Sequence, residues 1–238
     1  MYSVGWLFMT SSPTAEKTIT YALLGMTVVT GLVDAVAFLS LGRVFTANMT
    51  GNVVILAFAT AHVPGLSIAY SSTALLSFLV GAIFGGRIMA RAGAESQIRF
   101  AAQAFLLEDV FLFAASLSAI GYRRDLLEHS FQPFALIALT ALAMGTRNAA
   151  VRKLAIPDLT TTVLTLTITG IGADSSFANG NNPRLARRVE AVVAMFLGAA
   201  LGAVILRYSI SAALWLGTAI SASCSAALFR PLRTSDKL

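Results

Sequence analysis

Six long, nearly uninterrupted apolar segments are the feature that most restricts how this chain can fold. A helix needs about 20 apolar residues to cross the hydrocarbon of a membrane, and runs of that length favour helices over strands. The sequence therefore predicts an all-α, polytopic membrane helix bundle of about six full spans. The predicted spans are Thr18–Leu41, Leu66–Ala90, Phe100–Gly121, Pro133–Val151, Val189–Leu206 and Ser209–Phe229.

The composition agrees with a chain that spends most of its length in lipid. Of the 238 residues, 57% are hydrophobic and 12% are charged, whereas soluble domains carry about 25% charged residues. This balance argues against a disordered chain, a disulfide scaffold and an ordinary cytosolic enzyme. Cys224 is the single cysteine, which excludes an intrachain disulfide and a Cys/His metal spacing. No hydrolytic or phosphate-loop motif occurs, so we expect no enzyme, no cofactor and no metal site.

Two shorter segments, Val44–Ala61 and Leu159–Ala173, begin with polar or small residues and continue apolar. Each follows a span across a tight break. Gly42 in the first break tolerates positive φ, and Pro157 in the second starts a helix well. We interpret both segments as half-helices or re-entrant segments rather than ordinary spans.

The basic residues test this topology. The net charge is +6, and the bases sit singly or in small groups between apolar segments, as the positive-inside rule produces. Nucleic acid is therefore not an expected partner. If both short segments re-enter, twelve bases lie inside and four outside, whereas eight full crossings give nine and seven. The inside set is Lys17, Arg87, Arg91, Arg99, Arg152, Lys153, Arg184, Arg187, Arg188, Arg230, Arg233 and Lys237. The outside set is Arg43, Arg123, Arg124 and Arg207. The asymmetry favours six spans with both termini cytoplasmic.

A weak internal repeat relates the two halves. Gly31-x-x-Asp34-Ala35 aligns with Gly145-x-x-Asn148-Ala149, and Gly81-Ala82-x-x-Gly85 aligns with Gly198-Ala199-x-x-Gly202. The alternative explanation is that small residues recur in any membrane bundle, where such glycine pairs mediate close packing. Three full spans per half would make the repeat inverted, as in many secondary transporters. The predicted division is a tail at 1–17, one transmembrane domain at 18–230 with pseudo-repeats at 18–121 and 133–229, and a cytoplasmic tail at 231–238.

Asp34 lies well inside the first span, with Gly31, Ala35 and Phe38 on its helical face. Polar groups inside hydrocarbon are costly, so this carboxylate is a candidate to bind a cation, a proton or a substrate amine. The alternative is that it hydrogen-bonds the backbone of the neighbouring broken segment. The polar run that follows must be buried in protein or line a water-filled cavity. Its substrate-binding candidates, together with Asp34, are Asn48, Thr50 and Asn52.

The second half offers polar residues in corresponding places. The substrate-binding candidates there are Asn148, Asp158, Thr160, Thr161 and Thr162. The threonines are equally able to hydrogen-bond their own helix. Ion or proton coupling is assigned to Asp34, Glu108 and Asp109. Because adjacent helical positions point about 100° apart, Glu108 and Asp109 are not expected to form a dyad, and one of them is expected to pair with Arg147.

These two polar regions carry a family resemblance. Gly31-Leu-Val-Asp34-Ala, continued by Gly42-Arg-Val-Phe45-x-x-Asn48-Met-Thr-Gly-Asn52, resembles the signature of the YoaK-like bacterial membrane proteins. Gly145-Thr-Arg-Asn148-Ala with Pro157-Asp158-Leu-Thr160-Thr161-Thr162 resembles the second characteristic region of that family. The similarity runs from about Thr18 to Phe229. It implies a six-span inner-membrane protein of unknown function and supplies no substrate. The family pattern often has Gln where Arg147 stands, so this chain departs from it there.

Two functions from different classes fit these features. The first is a small secondary transporter or permease of a small polar solute, with the polar residues of both halves meeting inside the bundle. The second is a non-transporting membrane protein, such as a sensor or assembly subunit, whose polar residues satisfy broken backbone. The expected partners are the lipid bilayer and a small polar solute or ion, and a homo-oligomer is compatible with either function. The expected location is the bacterial inner (plasma) membrane.

Overall fold

The structure, a computed structural model, describes residues 13–93, 96–122, 131–156, 158–159, 161–162 and 164–235, with side chains from 16 to 229. These residues form eight α-helices, one short 3-10 helix and no strand. Six helices contain a stretch long and apolar enough to cross a membrane, which confirms the all-α polytopic bundle. The long helices are α1 (Pro13–Ser40), α3 (Ile68–Ala90), α4 (Gln97–Ser118), α5 (Gln132–Leu154), α7 (Leu185–Ile205) and α8 (Ile210–Ser235).

The two remaining helices are short and each follows an irregular break. Helix α2 (Met49–Thr60) has 12 residues and α6 (Thr165–Ala173) has 9, which is about 18 and 14 Å at 1.5 Å per residue. Neither can cross about 30 Å of hydrocarbon. Residues 41–48 are the first break and residues 155–164 are the second break. Both begin in the left-handed region, at Gly42 (φ 92°) and Ala155 (φ 49°).

Helix boundaries differ from the predicted spans by a few residues. Helix α1 begins at Pro13 and carries Glu16 in its first turn, five residues before the predicted start at Thr18. Proline favours the first helical position, and an acidic residue there interacts favourably with the helix dipole. The rest of the predicted N-terminal tail, residues 1–12, lies outside the described residues, as do residues 236–238 of the predicted C-terminal tail.

One end of the bundle holds the end of α1 and the start of α3. Gly42 packs against the ring of Tyr70 in the first turn of α3. The hydroxyl of Tyr122, just after α4, donates to the carbonyl of Ser40 at 3.1 Å. The chain through the first break and α2 therefore returns to the end at which it left the bundle. This is the first end.

The opposite, second end holds the start of α1 and the junction of α5 with α7. Arg187 forms an ion pair with Glu16 at 3.3 Å. Arg188, also in the first turn of α7, pairs with Asp158, which follows α5 by only a few residues. The chain through the second break and α6 therefore leaves and returns at this second end.

Helices α1 and α5 are the most buried of the six long helices. Helix α7 packs along α1, and α3 packs along α5. Helix α4 contacts both α5 and α8, and α8 also contacts α1. The short helices lie outside this core, α2 against α3 and α6 against α7. Each of these contacts therefore has a counterpart when α1, α2, α3 and α4 are exchanged with α5, α6, α7 and α8, in that order.

Glycines allow the closest of these helix pairs to form. A Cβ added at Gly198 would overlap the carbonyl oxygen of Val28, and one added at Gly31 would overlap the backbone of α7. Gly81 and Gly145 meet the backbones of α5 and α3 in the same way. Small residues let helix backbones approach closely in membranes, so the close packing predicted at Gly81 and Gly198 is confirmed.

Candidate functional site

Asp34 on α1 holds the first break inside the bundle. The backbone N–H groups of Thr46 and Ala47 each donate to Oδ1 of Asp34 at 2.9 Å. Asp34 lies six residues before the end of α1, which corresponds to a depth of about 9 Å. The carboxylate therefore satisfies two backbone donors at a depth where unpaired donors are costly.

Asn52 fixes the same break from the side of α2. Its Oδ1 accepts from the backbone N–H of Phe45 at 2.8 Å, and its Nδ2 donates to the carbonyl of Phe45 at 2.5 Å. The side chain of Asn52 is fully buried. It replaces the backbone partners that Phe45 would have in a helix or sheet. This residue therefore has a clear structural role in the break.

Asn48 and Thr50 lie at the exposed start of α2. Asn48 is the N-cap of α2, and its side chain accepts from the backbone N–H of Gly51 at 3.4 Å. Side-chain oxygens at this position commonly satisfy the free N–H groups of a first turn. Thr50 points away from the bundle and is exposed.

The second break is held by charged side chains. Oδ2 of Asp158 accepts from Nε of Arg184 at 2.6 Å, and Oδ1 accepts from Nε of Arg188 at 3.0 Å. Burial raises the pKa of Asp158, but the hydrogen bonds and charges of the two arginines outweigh burial. The pKa therefore lies below its usual value of 3.8. Asp158 remains ionised and paired over the neutral pH range.

Arg188 connects this break to the far end of α6. Its Nη1 donates to the carbonyl of Gly170 at 2.5 Å, and its Nη2 lies 2.7 Å from Oδ2 of Asp174. Its guanidinium packs so closely on Gly170 that a Cβ there would meet it at 2.8 Å. One arginine on α7 thus fixes the residues before α6 and those in its last turn.

Both breaks contribute to one cavity of about 550 Å³ beside α1 and α7. The first break supplies Phe45 and Asn48, the second supplies Thr162 and Leu164, and α6 supplies Thr165 and Ile168. The remaining described lining residues come from the two long helices. They are Gly31, Asp34, Ala35, Phe38 and Leu39 of α1, with Met195, Ala199 and Ala203 of α7. We call this space the central cavity. Its volume is in the range of small-molecule sites, about 300–1,000 Å³.

Apolar residues form most of the described lining of the central cavity. The rings of Phe38 and Phe45 stack at 5.0 Å between centroids with 20° between planes. The sequence prediction placed Phe38 beside Asp34 but did not include α7. Met195, Ala199 and Ala203 carry no polar signal, so nothing in the sequence distinguishes them from ordinary core residues.

A buried ion pair lies at mid-span in the core. Nε of Arg147 donates to Oε2 of Glu108 at 2.9 Å, and Nη2 forms a second, short contact with Oε1. Nη1 of Arg147 donates to the hydroxyl of Thr30 at 2.8 Å, and the hydroxyl of Ser221 donates to Oε1 of Glu108 at 2.9 Å. The predicted pairing of Arg147 with one of the two acidic residues is confirmed, and the partner is Glu108. This pair joins α1, α4, α5 and α8.

Asp109, the neighbour of Glu108, has no such partner. Its side chain is 8% exposed, and its Oδ1 is buried without a hydrogen bond. The hydroxyls of Ser221 and Ser225 on α8 lie beside the Asp109 carboxyl group. A second carboxyl group, with one oxygen not hydrogen-bonded, therefore lies near the Arg147–Glu108 pair.

The structure brings together some of the predicted site residues and separates others. Asp34, Asn48 and Thr162 line the central cavity. The remaining substrate-binding candidates that the structure describes do not line it. They are Thr50, Asn52, Asn148, Asp158 and Thr161. Thr160 and Pro157 lie outside the described residues. The coupling candidates Glu108 and Asp109 lie in the core between α4, α5 and α8.

The family of the chain follows from a comparison of its sequence. Residues 22–227, most of the chain, match the family described as protein of unknown function (DUF1275). The chain belongs to this family. Together with the relative described next, this match confirms the predicted YoaK-like resemblance.

A curated relative supports the same assignment. The chain is 35% identical over 146 residues to the UPF0700 transmembrane protein YoaK of Bacillus subtilis (strain 168). The match covers 61% of this chain and 62% of that protein, so the chain spans less than two thirds of the relative's length. No solved structure matches this chain significantly. A transmembrane relative and six apolar helices make this chain a multi-pass membrane protein.

Proposed function

We propose that this protein is a permease for a small solute rather than an enzyme, and that the central cavity is its solute site. The observation that carries the proposal is that both breaks, which enter from opposite ends of the bundle, line the same cavity as Asp34. Broken helices that meet near the membrane midplane are typical of secondary transporters, because irregular backbone supplies polar groups to the solute.

The arrangement of the two halves supports alternating access. The contact of α7 with α1 has its counterpart in that of α3 with α5, and α2 on α3 corresponds to α6 on α7. With three long helices in each half, such halves are related as an inverted repeat. We place the chain in the bacterial inner membrane. The second end is cytoplasmic, because the basic residues around α3–α4 and the start of α7 lie there.

We assign coupling to Asp109. At mid-span the described residues place one cation, Arg147, beside two carboxyl groups, Glu108 and Asp109, so two ionised carboxylates would leave one negative charge uncompensated. A proton or a monovalent cation taken up at Asp109 balances that charge. Uptake by an Asp109→Asn variant should then no longer respond to an imposed proton or sodium gradient. Glu108→Gln should instead destabilise the fold by about 3–5 kcal/mol, because it breaks a buried pair.

Cysteine accessibility tests the permease proposal without knowledge of the solute. In a Cys224→Ala background, Ala199→Cys places one thiol in the central cavity. Vesicles of known orientation are treated with a membrane-impermeant maleimide, either outside or trapped inside. Alternating access predicts that this thiol reacts from both sides. Reaction from one side only, under all conditions, contradicts the proposal.

Two control variants report the sidedness of the vesicles. Tyr208→Cys lies between α7 and α8 at the first end, and Ser176→Cys lies after α6 at the second end. Both native residues are exposed. Each control thiol should react from one side only, and the two sides should be opposite.

A second candidate function is supported by a specific observation. Asp34 and Asn52 both satisfy the backbone of the first break, which is what a non-transporting sensor or assembly subunit would need from them. In that case the cavity thiol would react from one side, and the Asp34→Asn variant would change stability without changing any uptake.

A further inference from the structure

The central cavity has one charged group among its described lining residues, the carboxylate of Asp34. No lysine or arginine is found among these described lining residues. The bonds to Oδ1 come from the neutral N–H groups of Thr46 and Ala47. These donors orient the carboxylate but do not neutralise its negative charge. The described part of the cavity therefore favours a cation and disfavours an anion.

The rest of the described lining is apolar or aromatic. Phe38 lies one helical turn after Asp34 on α1, and its ring stacks on that of Phe45. Aromatic rings attract cations through their electron-rich faces, with a contribution of about 0.5–2 kcal/mol. The polar groups nearby are the amide of Asn48 and the hydroxyls of Thr162 and Thr165. This is a small number of oriented polar groups in an apolar site, as in many small-molecule sites.

The volume of the central cavity favours an organic cation over a metal ion. A water molecule takes up about 30 Å³ of liquid, so 550 Å³ would hold well over ten waters. Hard metal ions require six or more oxygen ligands close to the ion, and the described lining offers one carboxylate among mostly apolar groups. A larger molecule with an apolar body fills this space more favourably.

From this geometry we infer that the central cavity binds a monovalent organic cation, with its ammonium group at Asp34 and its apolar body against Phe38, Phe45 and α7. This inference rests on the proposed permease function and names the class of its solute. It also replaces a purely polar solute with an amphipathic one.

Three probes with the same phenyl-ethyl body and different charge test the inference. They are phenethylammonium (+1), 2-phenylethanol (0) and 3-phenylpropanoate (−1). Each is titrated against the purified full chain in detergent while the thermal unfolding temperature is recorded. A ligand that binds the folded state raises this temperature in a saturable manner. We expect saturable stabilisation by phenethylammonium and none by the other two probes.

Variants identify the site of binding. Asp34→Asn keeps an oxygen that can accept from Thr46 and Ala47 but removes the charge, so the fold should persist and stabilisation by phenethylammonium should be lost. Glu190→Gln removes an exposed carboxylate on α7 that does not line the cavity, and it should bind as the unmodified chain does. Phe38→Leu should weaken binding about two- to thirtyfold, the range of one cation–π contact.

The outcomes separate this inference from the proposed function. Equal stabilisation by all three probes, or binding that survives in Asp34→Asn, overturns the organic-cation inference. The Ala199→Cys thiol could react from both sides while the chain fails to bind phenethylammonium. That result overturns the organic-cation inference and leaves the permease proposal standing. One-sided reaction of that thiol overturns the permease proposal even if phenethylammonium binds.

Discussion

The two breaks have the same place in their halves but are held in different ways. The first break is held from inside the bundle, by the carboxylate of Asp34 and the buried amide of Asn52, both on backbone groups. The second is held near the second end by ion pairs of Asp158 with Arg184 and Arg188. Arg184 is 47% exposed on its side chain, whereas Asn52 is fully buried.

This difference indicates how each break should respond to solution conditions. Buried hydrogen bonds to backbone are little affected by salt, whereas ion pairs near water are screened. The second break should therefore be the one that pH and ionic strength loosen. In a permease, that would make the second end the more easily opened side of the central cavity.

Among the variants that compare the two breaks, the largest effect is expected at Asn52. Asn52→Ala removes the partners of the N–H and carbonyl of Phe45, and unsatisfied backbone groups should lower the free energy of unfolding by about 1–3 kcal/mol. Chemical denaturation in detergent measures this. Thr50→Ala is the control, since it changes an exposed position of the same helix and should remain within about 0.5 kcal/mol. Equal effects of the two variants would show that the amide bridge is not needed.

A smaller, pH-dependent effect is expected at Asp158. Its pKa is lowered in the folded chain, so its contribution to stability is present above the usual value of 3.8 and is lost as the pH falls through the lowered pKa. Arg184 is 47% exposed on its side chain, so its share of that contribution should be no more than about 1 kcal/mol. The unfolding temperature of the unmodified chain should exceed that of Asp158→Asn at neutral pH.

The quantity to follow is the difference in unfolding temperature between the unmodified chain and Asp158→Asn, because the other titrating groups of the two proteins are the same. It should begin to shrink as the pH falls below the usual pKa of 3.8 and should vanish only below the lowered pKa of Asp158. A constant difference between neutral and strongly acidic pH would contradict the ion-pair account of the second break.

The smallest effect is expected at Arg184. It shares Asp158 with the more buried Arg188, and exposed ion pairs contribute about 0–1 kcal/mol. Arg184→Gln should therefore destabilise the chain by about 0.5 kcal/mol or less at low salt, and by nothing measurable at high salt. A large loss that is independent of salt would show that Arg184 has a role other than this exposed pair.

Sequence reasoning predicted the elements of the fold well, because hydrocarbon imposes strong rules. Six long helices and two short ones follow from the lengths of the apolar runs, and the pairing of Glu108 with Arg147 follows from the cost of burying single charges. For the polar run that contains Asn48, the sequence left burial in protein and a water-filled cavity as alternatives, and the structure places Asn48 and Asp34 at the central cavity. Gly31 and Ala35, which share the helical face of Asp34, line that cavity as well.

Other parts of the site could not be predicted from sequence. Thr50 and Asn52 lie in the same polar run, and only the direction of the first turn of α2 makes one exposed and the other buried. The contact of Arg188 with Asp158 joins residues 30 positions apart across an irregular break, where no periodicity indicates which side chains meet. Asp158 was therefore predicted as a solute ligand, whereas the structure pairs it with two arginines.

The most direct test of the central claim, that both breaks meet at one cavity, is a cross-link between them. In a Cys224→Ala background, Asn48→Cys and Thr165→Cys place one thiol beside each break, both at the central cavity. A short bifunctional maleimide should join them within one chain, as detected by mass spectrometry. Thr50→Cys with Thr165→Cys is the matched control and should not cross-link. If both single thiols of the first pair react but no link forms between them, the two breaks do not share a cavity and the account is wrong.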